Sequence, residues 1–114
     1  MSYDIQSHPE FEHNFKRLHK RYRSLPDDIK DFRDSLQENP FQGTELTPGI
    51  RKIRMAIASK GRGKAGSARV ITANAIIAEH EGRIALLTIY DKQDADSVKL
   101  SVIKRMAKEM GFEV

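Results

Sequence analysis

Cysteine and tryptophan are both absent from this sequence of 114 residues. The lack of cysteine excludes a disulfide framework and any zinc site built on thiolates. No hydrophobic run approaches the roughly 18 residues of a membrane-spanning helix, and the first residues lack the apolar core of a signal peptide. We therefore expect a soluble, cytoplasmic protein that forms one domain over residues 1–114 and has no membrane partner.

Acidic residues are missing from one long stretch of the chain. Between Leu46 and Ala78 there is no Asp or Glu, although the formal net charge of the whole protein is only +4. The cations of this stretch are Arg51, Lys52, Arg54, Lys60, Arg62, Lys64 and Arg69. Such a concentration of positive charge is typical of a surface that meets phosphate. The charge alone leaves three interpretations open: contact with nucleic acid, contact with an acidic protein, or a solvated patch without a function.

Hydrophobic periodicity predicts a short strand near residues 3–5, followed by two helices at about 8–23 and 26–38. A capping box supports the start of the first helix, and a proline in the first turn supports the start of the second. Since only a short link joins the two helices, they should pack as an antiparallel hairpin. Residues 40–49 are rich in proline and glycine and are expected to form a loop.

After this loop the hydrophobic period changes to two, which predicts three strands at about 49–58, 68–78 and 83–90. Short connections make these strands an antiparallel meander, and the third should be a central strand partly covered on both faces. A last helix is expected at about 95–110. The order β-α-α-β-β-β-α predicts an α+β domain, with the helical hairpin and the C-terminal helix on one face of an antiparallel sheet of about four strands.

The meander should bring several cations together. Lys52 and Arg54 alternate with apolar residues and so share the polar face of the first of these strands. Because neighbouring antiparallel strands meet at their ends, Arg69 should lie beside Arg54, with Tyr90 and Lys92 close to Arg69. Such a groove can bind a phosphodiester and stabilise the charge that develops on it in a transition state. RNA supplies its own nucleophile, the 2′-OH, so no metal is required.

Other kinds of site are not indicated. The four histidines lack metal-ligand spacing, and the Gly61-Arg62-Gly63-Lys64 run lacks the spacing of a phosphate-binding P-loop. We expect neither a metal nor a cofactor. A second group of cations lies on the first helix and consists of Lys16, Arg17, Lys20, Arg21 and Arg23. This group is either a second surface for nucleic acid or an ordinary solvated helix face.

Five segments carry a resemblance to a known family. They are residues 38–43 (ENPFQG), 52–57 (KIRMAI), 61–64 (GRGK), 66–71 (GSARVI) and 89–92 (IYDK). Their order and spacing, over nearly the whole chain, resemble the RelE/ParE superfamily of bacterial toxins, and its HigB-like branch most closely. The resemblance implies the RelE-like microbial RNase fold and the toxin of a type II toxin–antitoxin module.

RelE- and HigB-like toxins are metal-independent endoribonucleases that cut mRNA in the ribosomal A site. The resemblance therefore implies a metal-independent endoribonuclease without a cofactor. It also implies three partners, namely mRNA, the ribosome with its rRNA, and a cognate antitoxin that covers the basic groove or binds elsewhere. ParE-like members of the same fold instead poison DNA gyrase and lack the basic catalytic set. A non-enzymatic gyrase inhibitor is accordingly the alternative function.

The resemblance also implies roles for individual residues. Lys52 and Arg54 match the family's strand cations, Arg69 matches the arginine that contacts the scissile phosphate, and Lys92 matches a later basic residue. RelE has a further C-terminal tyrosine for proton transfer, but residues 97–98 of this chain offer none, which leaves Tyr90 or Lys60 as the general base. The catalytic set is then Arg54, Arg69, Tyr90 and Lys92. The RNA-binding set is Lys52, Lys60, Arg62 and Lys64.

Overall fold

The computed structural model describes residues 2–61, 66–92, 94 and 98–114. Its helices and strands, in chain order, are β1 (Asp4–Ser7), α1 (Pro9–Arg21), α2 (Leu25–Glu38), β2 (Thr44–Thr47), β3 (Ile50–Ala56), a 3-10 turn (Ala58–Lys60), β4 (Ser67–Ala78), β5 (Glu81–Asp91) and α3 (Leu100–Glu109). The strands form one sheet in the order β1-β5-β4-β3-β2. β1 runs parallel to β5, whereas every other neighbouring pair is antiparallel.

The α+β class is confirmed, but the described sheet has five strands and is mixed. The segment expected to be a loop, residues 40–49, contains the short edge strand β2, which pairs with β3. Three of the four β2 residues are exposed and the fourth is half-buried. Because no side chain of β2 is fully buried, its sequence has no need to alternate apolar and polar residues. Hydrophobic periodicity therefore could not reveal this strand.

The helices cover both faces of the sheet, so the expectation of helices on a single face is wrong. On one face, α1 and α2 bury Phe11, Leu18, Phe32 and Leu36 against residues of β3, β4 and β5. On the other face, α3 and the following turn bury Ile103, Met106, Ala107 and Phe112. The physical reason lies in β4 and β5, which present apolar side chains in both directions and need a cover on each side.

The last strand of the meander, β5, lies inside the sheet between β1 and β4 and is covered on both faces, which agrees with the expectation of an inner strand. Ile84 and Leu86 of β5 belong to the core under α1 and α2, whereas Ala85 and Leu87 belong to the core under α3. The helix expected from residue 95 begins at Leu100 in the described part, since residues 98 and 99 are not helical and residues 95–97 are outside it.

Local sequence signals explain where α1 begins. Pro9 occupies the first turn of α1, and the Nδ1 atom of His8 accepts a hydrogen bond from the backbone N–H of Glu10, at 3.0 Å. Acidic side chains in the first turn and basic ones in the last turn of α1 suit the helix dipole. No helix among the described residues combines the length and the apolar character that a membrane crossing requires.

Candidate nucleic-acid interface

The sheet face that carries α3 changes from apolar to cationic along its strands. One row of register partners across β3, β4 and β5 is buried under α3 and consists of Ile50, Ala73 and Ala85. The next row of register partners consists of Lys52 and Ile71, which share that face, and Thr88, whose hydroxyl accepts a hydrogen bond from Asn14 of α1. The row after that consists of Arg54, Arg69 and Tyr90. Successive residues on one strand face are about 7 Å apart, so this change takes place within two steps along β3.

Arg54 and Arg69 are direct register partners on adjacent strands. Arg54 is exposed and Arg69 is buried, with Nη1 of Arg69 donating a hydrogen bond of 2.9 Å to Oγ of Ser67. Among the described residues, neither guanidinium takes part in an ion pair, since no carboxylate oxygen lies within 4.0 Å of it. Like charges opposite each other on a sheet are unfavourable. An anion between them would relieve this repulsion.

These two arginines line a cavity of about 670 Å³, which we call the basic groove. Its lining consists of Gln42, Gly43, Thr44, Lys52, Ile53, Arg54, Arg69 and Lys92. Every ionisable group in this lining is a cation. The sequence predicted that Lys52, Arg54, Arg69 and Lys92 would meet, and the structure brings all four into this one cavity.

One wall of the basic groove was not found by sequence reasoning. It is formed by Gln42, Gly43 and Thr44, which belong to the segment expected to be a loop. Arg51 holds this wall in place, because its Nε donates a hydrogen bond of 2.7 Å to the carbonyl oxygen of Gln42. A positive φ of 74° at Gly43 lets the backbone approach β3 closely. The glycine was the only signal in the sequence that could have indicated this close approach.

Tyr90 is a register partner of Arg69, as the sequence predicted, but its buried ring does not line the basic groove. The ring belongs to the core under α3 and lines a smaller neighbouring cavity of about 200 Å³. We call this second cavity the apolar cleft. Lys52 lines both cavities and marks the boundary between them.

Lys60 is not brought into the basic groove. Its side chain is only 7% exposed, and its Nζ lies 2.9 Å from Oδ1 of Asp91, a fully buried carboxylate. The same carboxylate accepts a hydrogen bond from the phenol of Tyr22, and the ring of Tyr22 lies 5.3 Å from Nζ of Lys60. Because Tyr22 follows α1, this network lies on the α1 side of the sheet. Lys60 here neutralises a buried carboxylate and joins the end of β5 to α1.

The other two predicted RNA contacts, Arg62 and Lys64, lie outside the described residues. The ends of their loop are described: the backbone N–H of Ile57 donates to the carbonyl oxygen of Gly66, at 2.8 Å. Because Ala56 and Ser67, the neighbours of these two residues, are the last register pair of β3 and β4, the loop leaves the sheet one step beyond the pair Arg54–Arg69.

The cations on α1 and immediately after it form a separate surface. Lys16, Arg17, Lys20, Arg21 and Arg23 are all exposed. α1 packs on the sheet face opposite to the basic groove, so this surface does not extend the groove. Arg21 contacts Asp91 and Asp94, and hydrogen bonds with Tyr22 and Asp94 raise the pKa of its guanidinium above the ordinary value.

Comparison with known families adds no assignment, because no family model matches this chain. Among the described residues, no group of three His, Asp or Glu side chains is placed to hold a metal ion. The functional interpretation therefore depends on the chemistry of the basic groove and the apolar cleft.

Proposed function

We propose that this protein is an endoribonuclease, the toxin of a type II toxin–antitoxin module, and that it cleaves mRNA on the ribosome. The observation that supports this proposal most directly is the basic groove, in which four cations line one cavity without a carboxylate among its lining residues. A polyanion is the ligand that such a cavity favours. The direct pairing of Arg54 with Arg69 adds a point at which one phosphate can be held from two sides.

The proposed reaction is an intramolecular transesterification. The 2′-oxygen of one nucleotide gives up its proton to a base and attacks the adjacent phosphorus. The bond between phosphorus and the 5′-oxygen of the next nucleotide breaks, and that oxygen takes up a proton. The products are a 2′,3′-cyclic phosphate and a free 5′-OH end. No other reactant is needed.

Each residue of the groove has a part in this proposal. Arg54 and Arg69 contact the non-bridging oxygens of the scissile phosphate and stabilise the additional negative charge of the transition state. Lys52 and Lys92 neutralise the neighbouring phosphates. Tyr90 has no part in proton transfer, because its buried ring lines the apolar cleft and not the groove. Lys60 has no such role, since its amine is held by Asp91 on the α1 side of the sheet.

The proposed partners follow from the same groove. The mRNA enters it, the ribosome presents the mRNA, and a cognate antitoxin holds the protein inactive until it is released. An antitoxin with acidic side chains would match the charge of the groove and compete with RNA for it.

The experiment that tests this proposal is induction of the protein in growing bacteria, followed by mapping of new mRNA 5′ ends. Arg54→Ala is the main variant because its side chain is exposed and its removal leaves the core intact. Arg69→Ala removes the central cation. If each arginine acts like a preorganised transition-state donor, each loss should slow cleavage on programmed ribosomes about 100-fold or more, or about 2.7–4 kcal/mol.

Lys30→Ala is the matched control, since Lys30 is an exposed cation of α2, on the face opposite to the groove. It should cleave like the unmodified protein. New ends within translated codons that disappear in Arg54→Ala would support the proposal. Full toxicity of both arginine variants in their folded form would overturn it. Growth arrest with intact mRNA and trapped gyrase–DNA complexes would instead favour the alternative, a gyrase inhibitor.

A further inference from the structure

The apolar cleft lies beside the basic groove, between the start of α3 and the sheet. Four of the five strands contribute to its lining, with Leu46 in β2, Lys52 in β3, Ile71 in β4 and Tyr90 in β5. Leu100, the first residue of α3, contributes to the lining from the helix. With about 200 Å³ it has room for one small planar group, but not for a folded element of a partner.

The mouth of the cleft is apolar and exposed. Only four large hydrophobic residues of the described chain are exposed, and two of them, Leu46 at 37% and Leu100 at 39%, line this one cavity. They come from different elements and meet at one place. Single exposed apolar side chains are normal on a protein surface, but two that converge on a cavity mark a site that an apolar surface can cover.

The cleft is also continuous with the cations. Lys52 lines both the cleft and the basic groove, and Arg54 lies two residues further along the same strand face. Two residues of a strand span about 7 Å, a distance that a single ribose can bridge. A ligand that combines a flat apolar group with a phosphate at this separation is a nucleotide.

We infer that the apolar cleft binds one nucleobase of the RNA, adjacent to the phosphate that Arg54 and Arg69 hold; this inference rests on the proposed function. Every base has a face that can stack on an aromatic ring or lie against aliphatic side chains, and Tyr90, Leu46 and Leu100 supply such surfaces. The base then fixes which phosphate of the chain lies between the arginines. The cleft thus acts as a positioning site for the substrate.

The test compares two probes that cannot be cleaved. One is a hexameric 2′-O-methyl RNA, and the other is the same backbone without bases. The variant is the double substitution Leu46→Ala/Leu100→Ala, and the matched control is Ile77→Ala, an apolar residue of β4 that is 77% exposed and lines neither cavity. Dissociation constants are measured by fluorescence anisotropy, after circular dichroism has shown that each variant is folded.

The double variant should bind the base-containing probe at least about fivefold more weakly, the lower end of what one stacked base contributes. Its affinity for the abasic probe should stay the same, and Ile77→Ala should bind both probes like the unmodified protein. Equal losses on both probes, or no loss on either, would overturn the inference.

Arg54→Ala separates this inference from the proposed function. It should weaken the binding of both probes, because it removes a contact to the backbone. If Arg54→Ala leaves both affinities unchanged, the proposed function itself fails. If Arg54→Ala weakens both probes and the double variant does not distinguish them, only the nucleobase site fails.

Discussion

The amine of Lys60 and the carboxylate of Asp91 form a buried ion pair, with Nζ 2.9 Å from Oδ1. Both side chains lie in the protein interior, where each charge depends on the other for its solvation. The pair joins the residue before the glycine-rich loop to the last residue of β5, and Tyr22 ties it to α1. The end of the sheet that carries Arg69 and Tyr90 is therefore fixed from the side opposite to the basic groove.

Removal of one partner should lower the free energy of unfolding by much more than the intact pair contributes to it. Asp91→Asn leaves the ammonium of Lys60 buried without its counter-charge, which we expect to lower the free energy of unfolding by about 3–5 kcal/mol. Asp94→Asn is the matched control, because the Asp94 side chain is 38% exposed and its carboxylate pairs with the exposed Arg21. That substitution should cost at most about 1 kcal/mol. Urea unfolding followed by circular dichroism measures both values, and equal losses would contradict a buried pair.

The same pair shows what a sequence cannot predict about charge. Lys60 belongs to the stretch without acidic residues, and the sequence therefore predicts it as an RNA contact. Its partner lies 31 residues further along the chain, on another strand, and no local pattern relates the two. The prediction that Arg54, Arg69 and Lys92 meet holds in the structure because it depends on strand alternation and on the order of a meander, which are local rules.

The fold shows the same difference between local features, which the sequence predicts, and contacts between distant segments, which it does not. The helices and the three long strands have strong hydrophobic periods, and the sequence predicts them. The exposed strand β2 has no such period, and the parallel pairing of β1 with β5 joins segments about eighty residues apart. The choice of sheet face by α3 is also non-local, since it depends on which side of β4 and β5 remains uncovered after α1 and α2 have packed.

The salt dependence of RNA binding should distinguish the basic groove from the cations of α1. Each phosphate of a single strand that a cation neutralises contributes about −0.7 to the slope of log affinity against log salt concentration. Lys52→Ala should reduce the steepness of this slope by about that amount, because Lys52 lines the groove. Lys20→Ala should leave it unchanged, because Lys20 lies on α1, on the other face of the sheet.

Anisotropy titrations with uncleavable RNA between about 50 and 200 mM salt measure both slopes over the range in which the effect is large. A decrease in slope for Lys20→Ala as large as that for Lys52→Ala would show that α1 is a second surface for nucleic acid. It would also mean that the ordinary solvated helix face is the wrong interpretation of these cations.

The wall of the basic groove should be sensitive to one added methyl group. Gly43 has a φ of 74°, and a Cβ atom built on it would lie 2.1 Å from the carbonyl oxygen of Lys52. Gly49 has a similar φ of 84°, but its nearest neighbour would be 3.5 Å from the added atom. Both alanine substitutions introduce the strain of a positive φ, about 1–3 kcal/mol. Only Gly43→Ala also forces the wall away from β3.

Gly43→Ala should therefore destabilise the protein more than Gly49→Ala does, as measured by urea unfolding. It should also weaken RNA binding, since the displaced wall belongs to the groove, whereas Gly49→Ala should bind RNA like the unmodified protein. The comparison separates backbone strain, which both variants share, from the loss of the close approach, which only one suffers. Equal destabilisation, or normal RNA binding by Gly43→Ala, would mean that the wall moves freely and does not shape the site.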